Sequence, residues 1–182
     1  MGKPIVMGVA ALALTGLALA FGHYNDTYSA KLPTASGWVR VDSRQFEDNL
    51  GAMAGTVRDW VGRVGEFGME VTLSTKTASP LVRFSLEEFV DEGLTRLREQ
   101  RKFQIRECSP FKNEDAQWRC FDLSMRKQQV EGRQRTYVTR RGNTFVAVMF
   151  TAVPAERFSA FGNPEWWIGR LEWHGPAIAY SY

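Results

Sequence analysis

The chain has 182 residues, of which 44% are hydrophobic, 24% charged and 13% aromatic, and this is the composition of one ordinary globular domain. Its formal net charge of +3 comes from 23 basic and 20 acidic side chains, an excess too small for the basic face of a nucleic-acid-binding protein. Nucleic acid is therefore not expected as a partner, and the lack of repeats and low-complexity tracts excludes solenoids and long disordered arms.

Residues 5–22 form an uncharged, largely apolar segment near the start of the chain. The segment is longer than the apolar core of a usual secretory leader, and it lies at the short end of the roughly 17 to 25 residues that a spanning helix needs. We therefore predict a transmembrane anchor or uncleaved signal over residues 1–24. The alternative is a leader that is removed at one of two small-residue sites, after Ala20 or after Ala30.

The predicted membrane helix carries a stripe of residues spaced four apart, which comprises Gly8, Leu12, Gly16 and Ala20. Small residues at this spacing allow a second membrane helix to approach closely, so we expect the stripe to pack against another helix in the lipid bilayer. The one basic residue before the helix, Lys3, favours an N-terminus on the cytoplasmic side. The expected location is the bacterial inner membrane, crossed once, with the C-terminal domain in the periplasm.

The remainder of the chain is divided into a linker over residues 25–36, an α+β extracytoplasmic domain over residues 37–175 and an aromatic tail over residues 176–182. The linker is assigned because Pro33 and Gly37 interrupt regular structure there. One compact domain is thus expected after the membrane segment.

The first half of the domain is predicted to mix strands and helices. A short strand near Trp38 is followed by apolar residues at helical spacing, which predict an amphipathic helix over residues 46–64. The alternating stretch over residues 68–77 predicts a strand. A capping box that begins at Ser85 predicts a helix over residues 86–101.

Four runs of alternating polar and apolar residues between residues 102 and 153 predict an antiparallel meander. Its hairpin turns are predicted at Glu131-Gly132 and Gly142-Asn143, because these dipeptides favour tight turns. An antiparallel meander packed with helices in a sandwich is an α+β fold.

The end of the domain is predicted to be helical and aromatic. Two segments between Pro154 and Trp173 predict closing helices, and Asn163 is placed to cap the second of them. In that helix Trp167 and Leu171 are expected to face the sheet.

Cys108 and Cys120 are the only cysteines of the chain. The alternation of the two strands in which they lie places both thiols on the same face of an antiparallel pair. We predict a disulfide between them, which an exported location permits. The alternative is two free thiols; the spacing is not that of a C-x-x-C redox pair, and too few histidines accompany the cysteines for a zinc site.

No motif of a catalytic site is present in the sequence. The two histidines, His23 and His174, lack the spacing of a metal or catalytic pair, and neither a P-loop nor a G-x-S-x-G motif occurs. We therefore expect no enzymatic activity, no metal and no cofactor.

Exposed basic and aromatic residues are the candidates for a partner interface. The basic residues lie on two adjacent predicted hairpins, and the alternative is a sheet edge that charge protects from aggregation; an acidic partner or anionic headgroups would be the functional use. Tryptophan, tyrosine and arginine are favoured as anchors of protein interfaces. The candidates are Trp166, Trp173, Tyr180, Tyr182, Arg133, Arg135, Arg140 and Arg141.

The order of elements resembles the PsbP-like family, whose fold is that of the extrinsic photosystem II protein and its bacterial relatives. The resemblance covers residues 37–173 and rests on an extended start at Gly37-Trp38, a strand, the helix that opens "SLEEF", a long meander and an aromatic closing helix. The resemblance implies a lumenal or periplasmic accessory domain that docks on a larger assembly and has no catalytic chemistry. The predicted helix over residues 46–64 and a retained membrane helix depart from the family pattern.

Two functions follow from these expectations. The first is a single-pass membrane accessory subunit whose periplasmic domain docks on and stabilises a larger membrane complex of the photosynthetic or respiratory kind. The second is a secreted periplasmic domain that binds a ligand or a protein after its signal peptide has been cleaved.

Overall fold

The protein is described by a computed structural model over residues 28–41, 56–66, 68–78, 85–99, 103–113, 116–127 and 129–175. The predicted anchor over residues 1–24, with its packing stripe, lies outside these ranges, and so does the tail over residues 176–182. Within the described ranges, no helix has the length and apolar character needed to cross a membrane.

A seven-stranded antiparallel sheet dominates the domain, and a two-stranded sheet accompanies it. The strand order of the large sheet is β2-β3-β4-β8-β7-β6-β5, and β1 pairs with β9 in the small one. The strands are β1 (Ser29–Lys31), β2 (Trp38–Val41), β3 (Thr56–Arg63), β4 (Met69–Thr77), β5 (Phe103–Lys112), β6 (Gln117–Lys127), β7 (Val130–Arg141), β8 (Thr144–Ala152) and β9 (Glu172–His174). The helices are α1 (Leu86–Glu99), a 3₁₀ helix (Ala155–Phe161) and α2 (Pro164–Ile168).

The predicted meander is confirmed by β5 to β8, which pair in sequence order. The turn between β7 and β8 falls at Gly142 and Asn143 as expected, and Gly142 has a φ of 54°, which favours glycine. The preceding hairpin differs, because Lys127 pairs with Val130 and Gly132 lies inside β7. A Cβ on Gly132 would come within 3.2 Å of the side chains of Met125 and Val153, so the glycine serves close packing rather than a turn.

Helix α1 covers one face of the sheet. Its start is the predicted capping box, in which the Ser85 N–H donates to Glu88 Oε2 over 2.7 Å and the Glu88 N–H donates to Ser85 Oγ over 3.1 Å. Val90 and Leu94 are buried against Phe121 and other apolar residues of β5 to β8. The helix therefore forms one outer layer of the sandwich over Leu86–Glu99, and the last two residues of the predicted range, 100 and 101, lie outside the described residues.

The opposite face of the sheet carries the larger core. The 3₁₀ helix, α2 and the β1–β9 pair bring aromatic residues onto β8, where Phe150 lies edge-on to both Phe161 and Trp167. Trp167 and Leu171 are buried as predicted. The fold is thus an α+β sandwich in which the sheet is the main component.

The helix predicted over residues 46–64 is wrong over residues 56–63, which form strand β3 between β2 and β4, and its first part over residues 46–55 lies outside the described residues. Trp60 pairs with Thr72 and Val61 with Val71, and adjacent strand residues point to opposite faces. Both Trp60 and Val61 are buried, so both faces of this strand are covered and the alternation that identifies a strand is lost.

Two short strands were not expected at the two ends of the domain. Residues 29–31, placed in the predicted linker, form β1, and Leu32 beside them is almost fully buried. The predicted closing helix is short: Asn163 caps it by accepting from the Glu165 N–H over 2.9 Å, but it ends at Ile168. Residues 172–174 instead pair with β1.

Candidate functional site

The predicted disulfide is confirmed. Cys108 and Cys120 are directly opposite each other on β5 and β6, with 5.1 Å between their Cα atoms. Both cysteines of the chain are therefore bonded, and Cys120 belongs to the larger core. The bond fixes the register of β5, which is an edge strand of the sheet.

Two residues beyond Cys120 on β6, a carboxylate and two arginines of the sheet contact a ring of the 3₁₀ helix. We term this group the Asp122 cluster: Asp122, Arg133, Arg135 and Phe158. Arg135 binds the carboxylate through two bonds, from Nε to Oδ1 over 2.7 Å and from a terminal nitrogen to Oδ2 over 2.8 Å. Arg133 adds a third bond to Oδ2 over 3.1 Å. Both guanidinium groups lie over the Phe158 ring, with 4.4 Å from Arg133 and 5.7 Å from Arg135 to the ring centroid.

The charges in the Asp122 cluster stabilise one another. Burial alone would raise the pKa of Asp122, but the hydrogen bond and charge of Arg135 and the charge of Arg133 hold it below its usual value. The same hydrogen bond to Asp122 raises the pKa of Arg135 despite its partial burial. Two arginines face one carboxylate, so the cluster keeps an excess positive charge.

Arg141 lies near the other end of β7 in different surroundings, which we term the Arg141 clamp: Arg141, Tyr28 and Trp173. Its guanidinium carbon is 4.9 Å from the Tyr28 ring centroid and 4.8 Å from that of Trp173. The Tyr28 N–H donates to Thr144 Oγ1 over 2.9 Å, which holds the first described residue beside the β7–β8 hairpin. The clamp thus joins the first described residue to β9, near the last described residues.

Arg140 lies on the opposite face of the sheet from its neighbour Arg141, because successive strand residues alternate. Its Nε donates to the Gly142 carbonyl over 2.8 Å, and its guanidinium lies 5.5 Å from the centroid of Phe145. Phe145 in turn stacks on Phe89 of α1. The four arginines predicted as one interface are therefore distributed over three places.

The tryptophans of the predicted interface are also separate. Trp166 on α2 is 39% exposed, and Arg170 covers its ring at 4.4 Å. Trp173 is half-buried and lies 6.3 Å from the ring of Trp118. Tyr180 and Tyr182 lie outside the described residues.

The described ranges contain no group of three or more histidine, cysteine, aspartate or glutamate residues that is able to hold a metal ion. His174 is exposed at the end of β9, and His23 lies outside those ranges. The geometry suits non-covalent recognition through guanidinium groups and aromatic rings, and we assign no catalytic step to it.

The predicted interface residues do not include four members of these arrangements, Tyr28, Asp122, Phe158 and Arg170. Asp122 was detectable in principle, because a turn at residues 128–129 places it opposite Arg135. A turn at residues 131–132 places Asp122 opposite Arg141 instead, so the wrong hairpin position hid the cluster. No local sequence pattern indicates that Phe158 contacts Arg133 and Arg135, because Phe158 lies in the segment that follows β8 and the arginines lie on β7.

The sequence matches no family model and no curated protein. The fold is similar to that of PsbP. The solution structure of cyanobacterial PsbP from Synechocystis sp. PCC 6803 aligns with 82% of this chain and 94% of its own, with a TM-score of 0.52 and 9% identity. LpqN of Mycobacterium tuberculosis, a protein involved in cell envelope biogenesis, aligns with 81% of this chain and 84% of its own, with a TM-score of 0.50 and 10% identity. The resemblance to PsbP that the order of elements predicts is thus confirmed for the fold.

Proposed function

We propose that the chain is a non-enzymatic accessory subunit of the bacterial inner membrane. In this proposal residues 1–24 stay in the bilayer as a single helix, and the PsbP-like domain lies in the periplasm. There it docks on and stabilises a larger membrane complex. A complex of the photosynthetic or respiratory kind is the class that the PsbP-like resemblance favours.

The observation that carries the docking role is the ordered arginine and aromatic surface formed by the Asp122 cluster. Its guanidinium groups are fixed by Asp122 and by the Phe158 ring before any partner arrives. A side chain that is already ordered loses less conformational entropy on binding. The excess positive charge suits a partner surface that carries carboxylates.

Trp166 is the second support for a protein partner. An exposed tryptophan with an arginine over its ring combines the two residue types that most often anchor protein interfaces. Trp166 and Phe158 lie in the closing segment, residues 155–168, and the charged residues of the Asp122 cluster lie on β6 and β7 beneath it. We propose that the partner contacts this side of the domain.

The disulfide supports the periplasmic location. Disulfides persist in oxidising compartments and are rare in the bacterial cytosol. The Cys108–Cys120 bond joins an edge strand to its neighbour. An exported domain is the simplest setting for such a bond.

The test has two readouts on protein extracted from native membranes with mild detergent. The intact mass reports whether residues 1–30 are retained, and mass spectrometry of the extract identifies stable partners. Trp166→Ala is expected to reduce co-purification at least several-fold. Val39→Ala serves as the matched control, because Val39 is also exposed but points to the opposite face of β2 from Trp38, which packs on Phe161 and Trp167.

The proposal fails if the mass begins after residue 20 or 30 and the domain is recovered alone. That outcome favours the alternative, a secreted periplasmic domain that binds a ligand or protein after loss of its signal peptide. If the anchor is retained but Trp166→Ala and Val39→Ala co-purify equally well with the partner, the docking surface is wrong.

A further inference from the structure

The described part of the chain begins at Tyr28, close to the end of the predicted membrane segment. Only residues 23–27 separate the apolar stretch from Tyr28. A fully extended chain spans about 3.3 to 3.6 Å per residue, so these five residues reach at most about 20 Å. Wherever Tyr28 lies in the domain, that part is therefore held near the bilayer surface when the segment is retained.

Tyr28 lies at a defined end of the large sheet. Its N–H binds Thr144 and its ring covers Arg141, so it is beside the β7–β8 hairpin. The β6–β7 hairpin is at the other end of β7, whose 12 residues span roughly 35 to 40 Å at about 3.3 Å each. The connection formed by residues 23–27 reaches about 20 Å at most, which is less than the length of β7. The end of β7 beside Tyr28 is therefore held near the membrane, whereas the other end is not.

We infer that the Arg141 clamp faces the bilayer and that Arg141 contacts the phosphate groups of anionic lipid headgroups. The inference rests on the membrane anchor of the proposed function. It extends that function by stating which end of the domain meets the lipid and which end is left for the protein partner.

The chemistry of the clamp suits the headgroup region. Tyrosine and tryptophan are enriched at membrane interfaces, where one part of the ring is in apolar and the other in polar surroundings. Basic side chains near the surface are attracted to anionic lipids. Among the described residues no carboxylate forms a salt bridge with Arg141, whereas Asp122 binds both Arg133 and Arg135. The guanidinium group of Arg141 packs against the two rings. The N–H groups at its edge are thus suited to donate hydrogen bonds to a phosphate.

Fluorescence energy transfer to the lipid surface tests the orientation in the full chain. Both native cysteines are in the disulfide, so a single introduced cysteine is the only thiol to label. His174→Cys places the donor beside Ser29 at the tethered end, and Glu131→Cys places it near the far end of β7. The chain is reconstituted in vesicles of phosphatidylcholine and phosphatidylglycerol that contain a headgroup-labelled acceptor lipid.

Transfer from the label at residue 174 is expected to exceed transfer from the label at residue 131 several-fold. Equal transfer, or stronger transfer from residue 131, overturns the inferred orientation while the chain still floats with the vesicles, and the anchor of the proposed function then stands. If the chain does not float with the vesicles, both the anchor and the inference fail. Docking is measured separately by the Trp166→Ala comparison, so a wrong orientation and a wrong docking surface are distinguishable.

Charge removal tests the contact itself. Arg141→Gln is expected to lower transfer from residue 174 in vesicles that contain phosphatidylglycerol and to leave it unchanged in phosphatidylcholine alone. Arg126→Gln is the matched control, because Arg126 is exposed and pairs with Glu131 at the far end of the sheet, and it is expected to change neither value. An equal effect of Arg141→Gln in both lipids, or no effect in either, refutes the headgroup contact.

Discussion

The two ends of β7 hold arginines by different means. In the Asp122 cluster, the Asp122 carboxylate binds both guanidinium groups, and both groups pack over the Phe158 ring. In the Arg141 clamp, the guanidinium is held between the rings of Tyr28 and Trp173. One end of the strand is thus organised by opposite charge and the other by aromatic packing.

Because of this difference, the two ends of β7 are expected to respond differently to acid. The Asp122 cluster depends on an ionised carboxylate and is therefore sensitive to acid. The Arg141 clamp contains no carboxylate, so its cation–π contacts are expected to persist after Asp122 is protonated. Acid and point substitutions are thus the means of distinguishing the two ends experimentally.

The largest expected effect is at the ring that supports the Asp122 cluster. Phe158 is buried and packs edge-on against Phe161 at 5.3 Å between centroids. Phe158→Ala removes a buried ring and the support of two arginines, so we expect a loss of about 3 to 5 kcal/mol in the free energy of unfolding. Urea unfolding followed by circular dichroism measures it.

Trp173→Ala is the corresponding change at the clamp. Because Trp173 is only half-buried, its loss is expected to cost about 1 to 2 kcal/mol. Equal losses for the two variants would contradict the view that the ring at the Asp122 end is more deeply buried in the core than Trp173 is.

The disulfide beside the Asp122 cluster is expected to contribute about 3 kcal/mol, because it closes a loop with a sequence separation of 12 residues. Urea unfolding with and without a reductant gives the value for the native chain. Cys108→Ala tests the bond at the half-buried partner and avoids a cavity at the buried Cys120. If the oxidised and reduced proteins unfold at the same urea concentration, the bond does not stabilise the fold.

Asp122→Asn is expected to cost about 1 to 2 kcal/mol at neutral pH, because three charge-assisted hydrogen bonds are weakened in a partly exposed site. The pKa of Asp122 is lower in the folded than in the unfolded chain. Its stabilising contribution is therefore fully present above the unfolded value of about 3.9 and is lost as the pH falls through the folded value.

The measurement is the stability difference between the native chain and Asp122→Asn from neutral pH down to about pH 3. The difference is expected to shrink on acidification, since the protonated carboxyl resembles the amide. A difference that stays constant over this range would show that Asp122 acts through shape rather than charge.

The parts of the fold that sequence predicts are those with local signals. Alternation identifies β5 to β8, the capping box at Ser85 identifies the start of α1, and Asn163 identifies the start of α2. The disulfide follows from the same alternation, since strand parity places both thiols on one face. Each of these signals is contained in a few neighbouring residues.

The parts that sequence misses depend on partners distant in the chain. Strand β3 loses its alternation because both Trp60 and Val61 are buried, and β1 has only three residues and gains its partner from residues 172–174. The Asp122 cluster depends on hairpin register, where a three-residue error in the turn exchanges Arg135 for Arg141. Its ring, Phe158, is supplied by the chain after β8.

The smallest expected effect is at the clamp itself. Arg141→Gln removes contacts with two rings, and cation–π contacts at exposed sites contribute about 0.5 to 1 kcal/mol, so we expect a loss of about 1 kcal/mol. Arg170→Gln, which removes one contact with an exposed ring, is the matched control and is expected to cost less. The loss for Arg141→Gln is expected to be the same at pH 7 and at about pH 3, whereas that for Asp122→Asn is expected to shrink at the lower pH. A loss for Arg141→Gln that follows the pH profile of Asp122→Asn would mean that the clamp depends on a carboxylate, and the two ends of β7 would then be organised by the same chemistry.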